Sequence, residues 1–191
     1  MWKQLLKAVK SRVAGARASS KPRTLFYIHR AERPTGSSDF VSLVSGDIVF
    51  EYGLVGDAIV GECIHLLEEG EHITAANFRP NRAFVKLLHD VIARHAPQLP
   101  GLQAEARRQH TGWVYVIDAR TPSPDGHVPP SDVIGGFEVR DGEVVPHSYR
   151  PNANHKLLTE DGLFELEPAL HDRLMERINE LIVANSRHST G

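Results

Sequence analysis

Residues able to do acid–base or anion-binding chemistry are concentrated in two loops of the second half of the chain. The first loop begins at Asp118 and ends at Asp132, and it carries Arg120 and His127 among four prolines and a glycine. A connection this long and proline-rich has no regular structure, and such loops often carry function. A carboxylate and a histidine beside a strand end are suited to general acid–base catalysis, so the pattern is compatible with a small hydrolase or transferase.

The second loop, residues 150–161, follows the last predicted strand and is rich in hydrogen-bond donors. Two interpretations stay open: the donors bind a carboxylate or phosphate of a partner, or they satisfy the backbone of an irregular loop. His147 and Tyr149 precede this loop on the predicted outer face of the strand. No catalytic role is assigned, and the candidate binding residues are Asp118, Arg120, His127, His147, Tyr149, Arg150, Asn152, Asn154, His155 and Lys156.

Two further groups of residues are weaker candidates. His65, Glu68 and His72 have a spacing that could bind a metal ion, yet they fall on the polar face of a predicted helix. Cys63 falls on the apolar face of that helix, which favours a buried side chain over a nucleophile. The chain has no glycine-rich phosphate loop, no G-x-S-x-G and no H-E-x-x-H, so we expect no metal site and no cofactor.

Composition indicates a globular protein. The 191 residues are 41% hydrophobic, which is enough to bury a core, and the one cysteine excludes an intramolecular disulfide. No apolar stretch approaches the roughly 18 residues of a membrane span, and the N-terminus lacks the pattern of a secretory signal. We therefore expect a cytoplasmic protein without a transmembrane segment.

Charge is distributed unevenly. Eight of the 22 basic residues lie before residue 32, where no acidic residue occurs, so an arm of charge +8 precedes a body of charge −10. Residues 2–18 have the pattern of a basic amphipathic helix, with a link to residue 23. That helix could pack on the body, contact an anionic surface or serve as a targeting segment. Sparse aromatic residues and the acidic body argue against nucleic-acid binding.

A β-hairpin is the strongest structural signal. Two β-forming runs, 133–140 and 143–149, flank Asp141-Gly142, which suits a type I′ turn and places Arg140 opposite Glu143. Pro146 marks the second run as an edge strand. The continuous apolar run 113–118 predicts a central strand, beyond which the N-terminal strands would lie.

The remaining pattern predicts a strand, a second hairpin and several helices. The hairpin pairs 40–44 with 48–52, after a strand at 24–30. Helices are expected at 58–69, 82–95, 100–109 and 167–184, and the tail 185–191 is expected to be disordered. The predicted fold is therefore α+β, with a mostly antiparallel sheet packed against three or four helices in one domain over residues 24–184.

These features favour a non-enzymatic protein-binding domain, acting as an adaptor, a chaperone-like factor or an inhibitor. The open edge and mixed outer face of the 133–149 hairpin offer main-chain hydrogen bonds to an added strand, and the acidic body would attract a basic protein partner. The alternative is the small hydrolase or transferase, with its site between the 118–132 and 150–161 loops.

Overall fold

The computed structural model describes residues 9–14, 24–34, 36–120 and 128–188. Antiparallel strands and four α-helices make up this part of the chain, so the predicted α+β class is confirmed. The helices are α1 (Gly46–Tyr52), α2 (Arg82–His95), α3 (Pro100–Gln109) and α4 (Pro168–His188). The strands are β1 (Val9–Ala14), β2 (Phe26–Arg33), β3 (Gly36–Ser42), β4 (Ile59–Cys63), β5 (Phe78–Pro80), β6 (Gly112–Ile117), β7 (Val133–Arg140), β8 (Glu143–Val144), β9 (Arg150–Pro151), β10 (Leu158–Thr159) and β11 (Gly162–Leu163).

The chain divides into two compact units. The single domain expected over residues 24–184 stays a prediction. The first unit contains the chain up to Leu87, the segment Leu158–Gly162 and the chain from Met175 onward. The second unit contains Leu88–Leu157 and Leu163–Leu174. Helices α2 and α4 each contribute residues to both units.

The first unit is built on a five-stranded antiparallel sheet in the order β1-β2-β3-β4-β5. Alternating apolar side chains such as Val41 and Val60 are fully buried in it. Its buried Asp39 accepts two hydrogen bonds from the Arg30 guanidinium, at 2.8 and 2.7 Å, and one from the Leu67 backbone N–H at 2.8 Å. An ion pair between the half-exposed Arg30 and the buried Asp39 thus fastens the loop that follows β4 to the sheet.

The second unit is built on a smaller sheet with β7 at its centre. β6 pairs with one side of β7, and β8 and β9 pair with the other. The hairpin turn has positive φ at Asp141 (54°) and Gly142 (79°), as a type I′ turn requires. Helix α3 packs against β6 and β8.

Several predicted elements are confirmed. Helices α2 and α3 have the predicted bounds, and α4 begins one residue after the predicted start. Arg140 pairs with Glu143 and Val139 with Val144, which is the predicted register of the hairpin. The predicted strand 113–118 is present as β6. Cys63 is buried, as expected.

Three segments adopt a different structure from the one predicted. The predicted N-terminal helix is wrong at residues 9–14, which form β1, because V-K-S-R-V-A alternates with the period of a strand as well as fitting a helical stripe; the rest of that helix lies outside the described residues. The predicted strand 48–52 belongs to α1, which starts with Asp47 in its first turn and ends at Gly53 with φ of 82°. The predicted helix 58–69 is wrong because Ile59–Cys63 forms β4, whose Gly61 lies under the Phe78 ring.

The predicted sheet order is correct within the second half of the chain and wrong beyond it. The N-terminal strands form their own sheet, which leaves β6 at an edge instead of at the centre. Residues 145–149 are not a strand, because Pro146 lacks an N–H and His147 has φ of 59°. The edge predicted there for strand addition is therefore wrong. The expected tail is helical as far as His188, since α4 continues past residue 184.

No helix among the described residues combines the length and the apolar character needed to cross a membrane.

Candidate functional site

Four of the polar residues in the two loops meet in one buried cluster, which we call the loop cluster: Asp118, Arg120, Asp132 and His155. Asp118 follows β6, Asp132 closes a short 3-10 turn before β7, and His155 lies in the loop after β9. Asp118 Oδ2 lies 3.0 Å from His155 Nε2 and 3.2 Å from an Arg120 nitrogen. The same guanidinium nitrogen lies 3.3 Å from Asp132 Oδ1. The two loops predicted to converge do so through these side chains.

The loop cluster directs its remaining hydrogen bonds at backbone groups. Asp118 Oδ1 accepts from the N–H groups of Arg120 at 3.1 Å and Glu165 at 2.9 Å. The Arg120 guanidinium donates to the carbonyls of Lys156 at 2.6 Å and Leu157 at 3.4 Å. Asp118 therefore holds the segment at Glu165 against the end of β6, and Arg120 holds the segment at Lys156 and Leu157 there.

Burial decides how this cluster is interpreted. An Asp–His contact is the arrangement that a general base requires, and the loops therefore bring together the right chemical groups. The His155 side chain is 3% exposed, however, and the side chains of Asp118 and Arg120 are 0% and 1% exposed. Because their polar atoms serve the loop backbone and not an open cleft, the arrangement is typical of a structural ion-pair network.

Asn152 explains much of the second loop in the same terms. Its side-chain N–H group donates to the carbonyls of Pro130 and Val133, both at 2.7 Å. Its Oδ1 accepts from the backbone N–H of Asn154 at 3.0 Å. Asn152 therefore fits the interpretation in which the polar side chains of this loop form hydrogen bonds with the loop backbone. Asn154 and Lys156 are exposed.

Tyr149 lies on the inner face of the sheet and not on the predicted outer face. Its hydroxyl is 2.8 Å from His89 Nδ1, and its ring centre is 4.9 Å from that of Phe137. Burial raises the pKa of Tyr149, so the phenol keeps its proton while it is hydrogen-bonded to His89. The pKa of His89 is lowered, mainly by burial and further by the charge of His155. The charge of Asp90 acts in the opposite direction and offsets part of this shift.

The opposite face of the small sheet is open. Residues that pair across β6 and β7 share a face, so Trp113, Tyr115 and Ile117 lie together, and the ring of Tyr115 covers Gly136. Tyr115 is 53% exposed and Ile117 is 36% exposed. The Arg150 guanidinium lies over Trp113, 5.2 Å from the ring centre, in a cation–π contact.

The register also shows which backbone groups of β6 point outward. The carbonyl of Glu138 accepts a hydrogen bond from the Val145 N–H at 2.9 Å, so the backbone N–H and C=O of Glu138 point away from β6. Because these groups alternate along a strand, the backbone N–H and C=O of Phe137 and Val139 point towards β6. The backbone of Val114, which pairs with Phe137, therefore forms its hydrogen bonds with β7. By alternation, the N–H and C=O groups of Trp113, Tyr115 and Ile117 point away from β7, towards the free edge of β6. Within the described residues, no strand pairs with that side of β6.

The candidate residues thus fall into three groups. Asp118, Arg120 and His155 meet in the loop cluster, Arg150 lies on the open face, and His147 is exposed in the turn after β8. His127 lies outside the described residues. Sequence reasoning missed His89 and the open face, although the alternation of Trp113, Tyr115 and Ile117 with the buried Val114 and Val116 is a signal for the latter.

In the part of the chain that is described, no group of three or more His, Cys, Asp or Glu side chains is arranged to hold a metal ion. Comparison with protein-family models, curated proteins and solved structures returned no match.

Proposed function

We propose that this chain is a non-enzymatic protein-binding domain that takes an extended protein segment along the outer edge of β6. The observation that carries the proposal is the edge itself: three residues, Trp113, Tyr115 and Ile117, have outward-pointing backbone groups and side chains on one open face. Strand addition uses such main-chain donors and acceptors for affinity and alternate side chains for specificity.

The loop cluster supports binding over catalysis. A hydrolase or transferase between the 118–132 and 150–161 loops would need Asp118 and His155 to reach a substrate, and both side chains are buried. Their hydrogen bonds instead fix the two segments that flank the small sheet, and this keeps β6 and β7 in a constant register. A rigid edge loses less conformational entropy when a segment binds to it.

The charge of the body favours a partner with basic flanking residues. Residues 32–191 carry 14 basic and 24 acidic side chains, so a cationic chain would be attracted over long distances. This attraction would increase the association rate, whereas the β6 backbone would determine where the segment binds.

Selection from a random heptapeptide library displayed on phage tests the proposal. We expect peptides with alternating β-branched or aromatic residues to be enriched on the full chain and to lose binding to Tyr115→Lys, which places a charge at the centre of the edge. Val183→Lys, a change at an exposed site on α4, is the matched control and should keep binding. Peptides that bind Tyr115→Lys as tightly as they bind Val183→Lys would contradict the proposal, provided that both variants have the thermal midpoint of the unmodified chain.

A further inference from the structure

The edge of β6 with which no described strand pairs lacks the features that normally prevent edge strands from associating. Natural edges carry a lysine, a proline, an inward-pointing charge or a bulge that interrupts pairing. The sequence of β6 is G-W-V-Y-V-I, with no charged residue and no proline, and its register shift lies at its very end, between Val116 and Ile117. An uncharged apolar edge of this kind tends to pair with another strand unless other residues bury it.

We propose that the strand that covers this edge is β6 of a second copy of this chain, paired antiparallel about a two-fold axis at Tyr115. The inference rests on the proposed strand addition at β6 and names a second copy, instead of a basic segment, as the occupant of that edge. Pairing of identical edges is the isologous contact that closes a two-fold dimer, and it would join the two small sheets into one continuous sheet.

The backbone geometry suits this symmetry. The residues with outward-pointing groups are Trp113, Tyr115 and Ile117, and they are evenly spaced about Tyr115. A two-fold axis there places Tyr115 opposite Tyr115 of the second copy, and Trp113 opposite Ile117 of the second copy. Every outward N–H and C=O of the three residues then has a partner, and the hydrogen bonds of Val114 and Val116 to β7 remain intact.

The side chains suit it as well. A tryptophan opposite an isoleucine is an aromatic–aliphatic cross-strand pair of the stabilising kind, and it occurs twice by symmetry. One residue further out, Asp118 falls opposite Gly112 of the second copy, so its carboxylate faces no like charge. A charged edge would repel its own copy, whereas this edge brings no two like charges together.

Sedimentation velocity of the full chain over a range of concentrations tests the stoichiometry. We expect a reversible dimer, and we expect Tyr115→Lys to be monomeric while Val183→Lys still dimerises. A chain that is monomeric at every concentration overturns the second copy as the partner. If the chain is monomeric and the peptides from the phage selection lose binding to Tyr115→Lys, strand addition to another protein is retained as the function of β6. If the chain is monomeric and the peptides bind Tyr115→Lys equally well, both proposals fail.

Cysteine cross-linking tests the register. In the proposed dimer the two Cα atoms at position 115 are about 5.5 Å apart, within the range that a disulfide spans, so Tyr115→Cys should form a covalent dimer under mild oxidation. Ile117→Cys is the matched control, because its two copies are separated by four residues of strand, or about 14 Å, and should not cross-link. The natural Cys63 is buried, so the unmodified chain gives the background. Equal cross-linking at positions 115 and 117 would overturn the two-fold axis at Tyr115.

Discussion

Asp118 is the residue on which the loop cluster depends, because it faces both the Arg120 guanidinium and His155 and also accepts two backbone N–H groups. Replacing its carboxylate with the isosteric amide in Asp118→Asn leaves the buried Arg120 with only part of its compensating charge. Breaking a buried ion pair in this way costs about 3 kcal/mol, so we expect the free energy of unfolding to fall by that amount in urea denaturation.

Glu105→Gln is the control for the Asp118 variant. Glu105 forms an ion pair with Arg108 one helical turn away on the surface of α3, where solvent screens the interaction. We expect no measurable change in the urea midpoint. Equal losses of stability in Asp118→Asn and Glu105→Gln would show that the loop cluster is not the structural element inferred from its burial.

His89 should make the stability of the second unit depend on pH. Burial lowers its pKa below the ordinary 6.5 in the folded chain, so below that pH the unfolded chain binds more protons than the folded chain. The stabilisation by neutral His89 is therefore complete above about pH 6.5 and is lost as the pH falls towards the lowered pKa. We expect the urea midpoint to decrease over this window, and to decrease less in His89→Gln.

His147→Gln is the matched control for His89, because His147 is exposed in the turn after β8. We expect this variant to keep the pH dependence of the unmodified chain. If His89→Gln and His147→Gln have the same pH dependence, the buried His89–Tyr149 contact is not its source.

The sequence located the residues of the loop cluster but not their role. A carboxylate, an arginine and a histidine in two adjoining loops are visible as residue types, and the structure brings Asp118, Arg120 and His155 together. Their burial was not predictable, because it depends on the Glu165 and Leu157 backbones, which reach the end of β6 only in the folded chain. His89 and Tyr149 are 60 residues apart, and no local pattern connects them.

At the scale of elements, the two glycines of β7 give a sharp test of the sheet packing. A Cβ atom at Gly135 would lie 2.5 Å from the Tyr149 hydroxyl and 2.7 Å from the Arg150 carbonyl, which is backbone. A Cβ at Gly136 would lie 2.9 Å from the ring of Tyr115, which is exposed, and 3.1 Å from the Val114 carbonyl, which is backbone.

Gly135→Ala should therefore destabilise the protein more than Gly136→Ala does. Overpacking against fixed backbone costs about 1–3 kcal/mol. The approach to a backbone carbonyl is closer at Gly135 (2.7 Å) than at Gly136 (3.1 Å), where the nearest group is the exposed ring of Tyr115. Thermal unfolding of the two variants measures the difference, and each serves as the control for the other. A larger loss in Gly136→Ala would contradict the assignment of the open and covered faces of β7.

Elements with strong local signals were predictable, and those decided by distant partners were not. Asp141-Gly142 defines the hairpin, and the periodicity and caps of residues 82–95 define α2. Residues 59–63 fit a helical stripe and a strand equally well, and pairing with β3 and β5 made them β4. The apolar run of β6 predicts a strand covered on both faces, yet alternation leaves Tyr115 and Ile117 on the open one.

At the scale of the whole molecule, part of the basic arm that the sequence predicts as a helix is a strand of the first sheet. Lys10 and Arg12 belong to β1, which pairs with β2, so they are part of the first sheet and not of a free helix. A strand in a sheet cannot also be the amphipathic helix that would contact an anionic surface. The basic residues 3, 7, 17, 21 and 23 lie outside the described residues.

Salt dependence separates the two kinds of association that this chain could make. Pairing through β6 involves no charged side chain, so the dimer dissociation constant should change by less than about threefold between low salt and about 0.5 M NaCl. Binding of a basic partner by the acidic body would weaken by far more over the same range, because screening acts on its long-range attraction. Sedimentation velocity at each salt concentration measures the constant, and Arg150→Gln controls for the guanidinium that lies over Trp113. A dimer that dissociates at high salt would show that charged surfaces hold it together, and the uncharged β6 edge would then not be the contact.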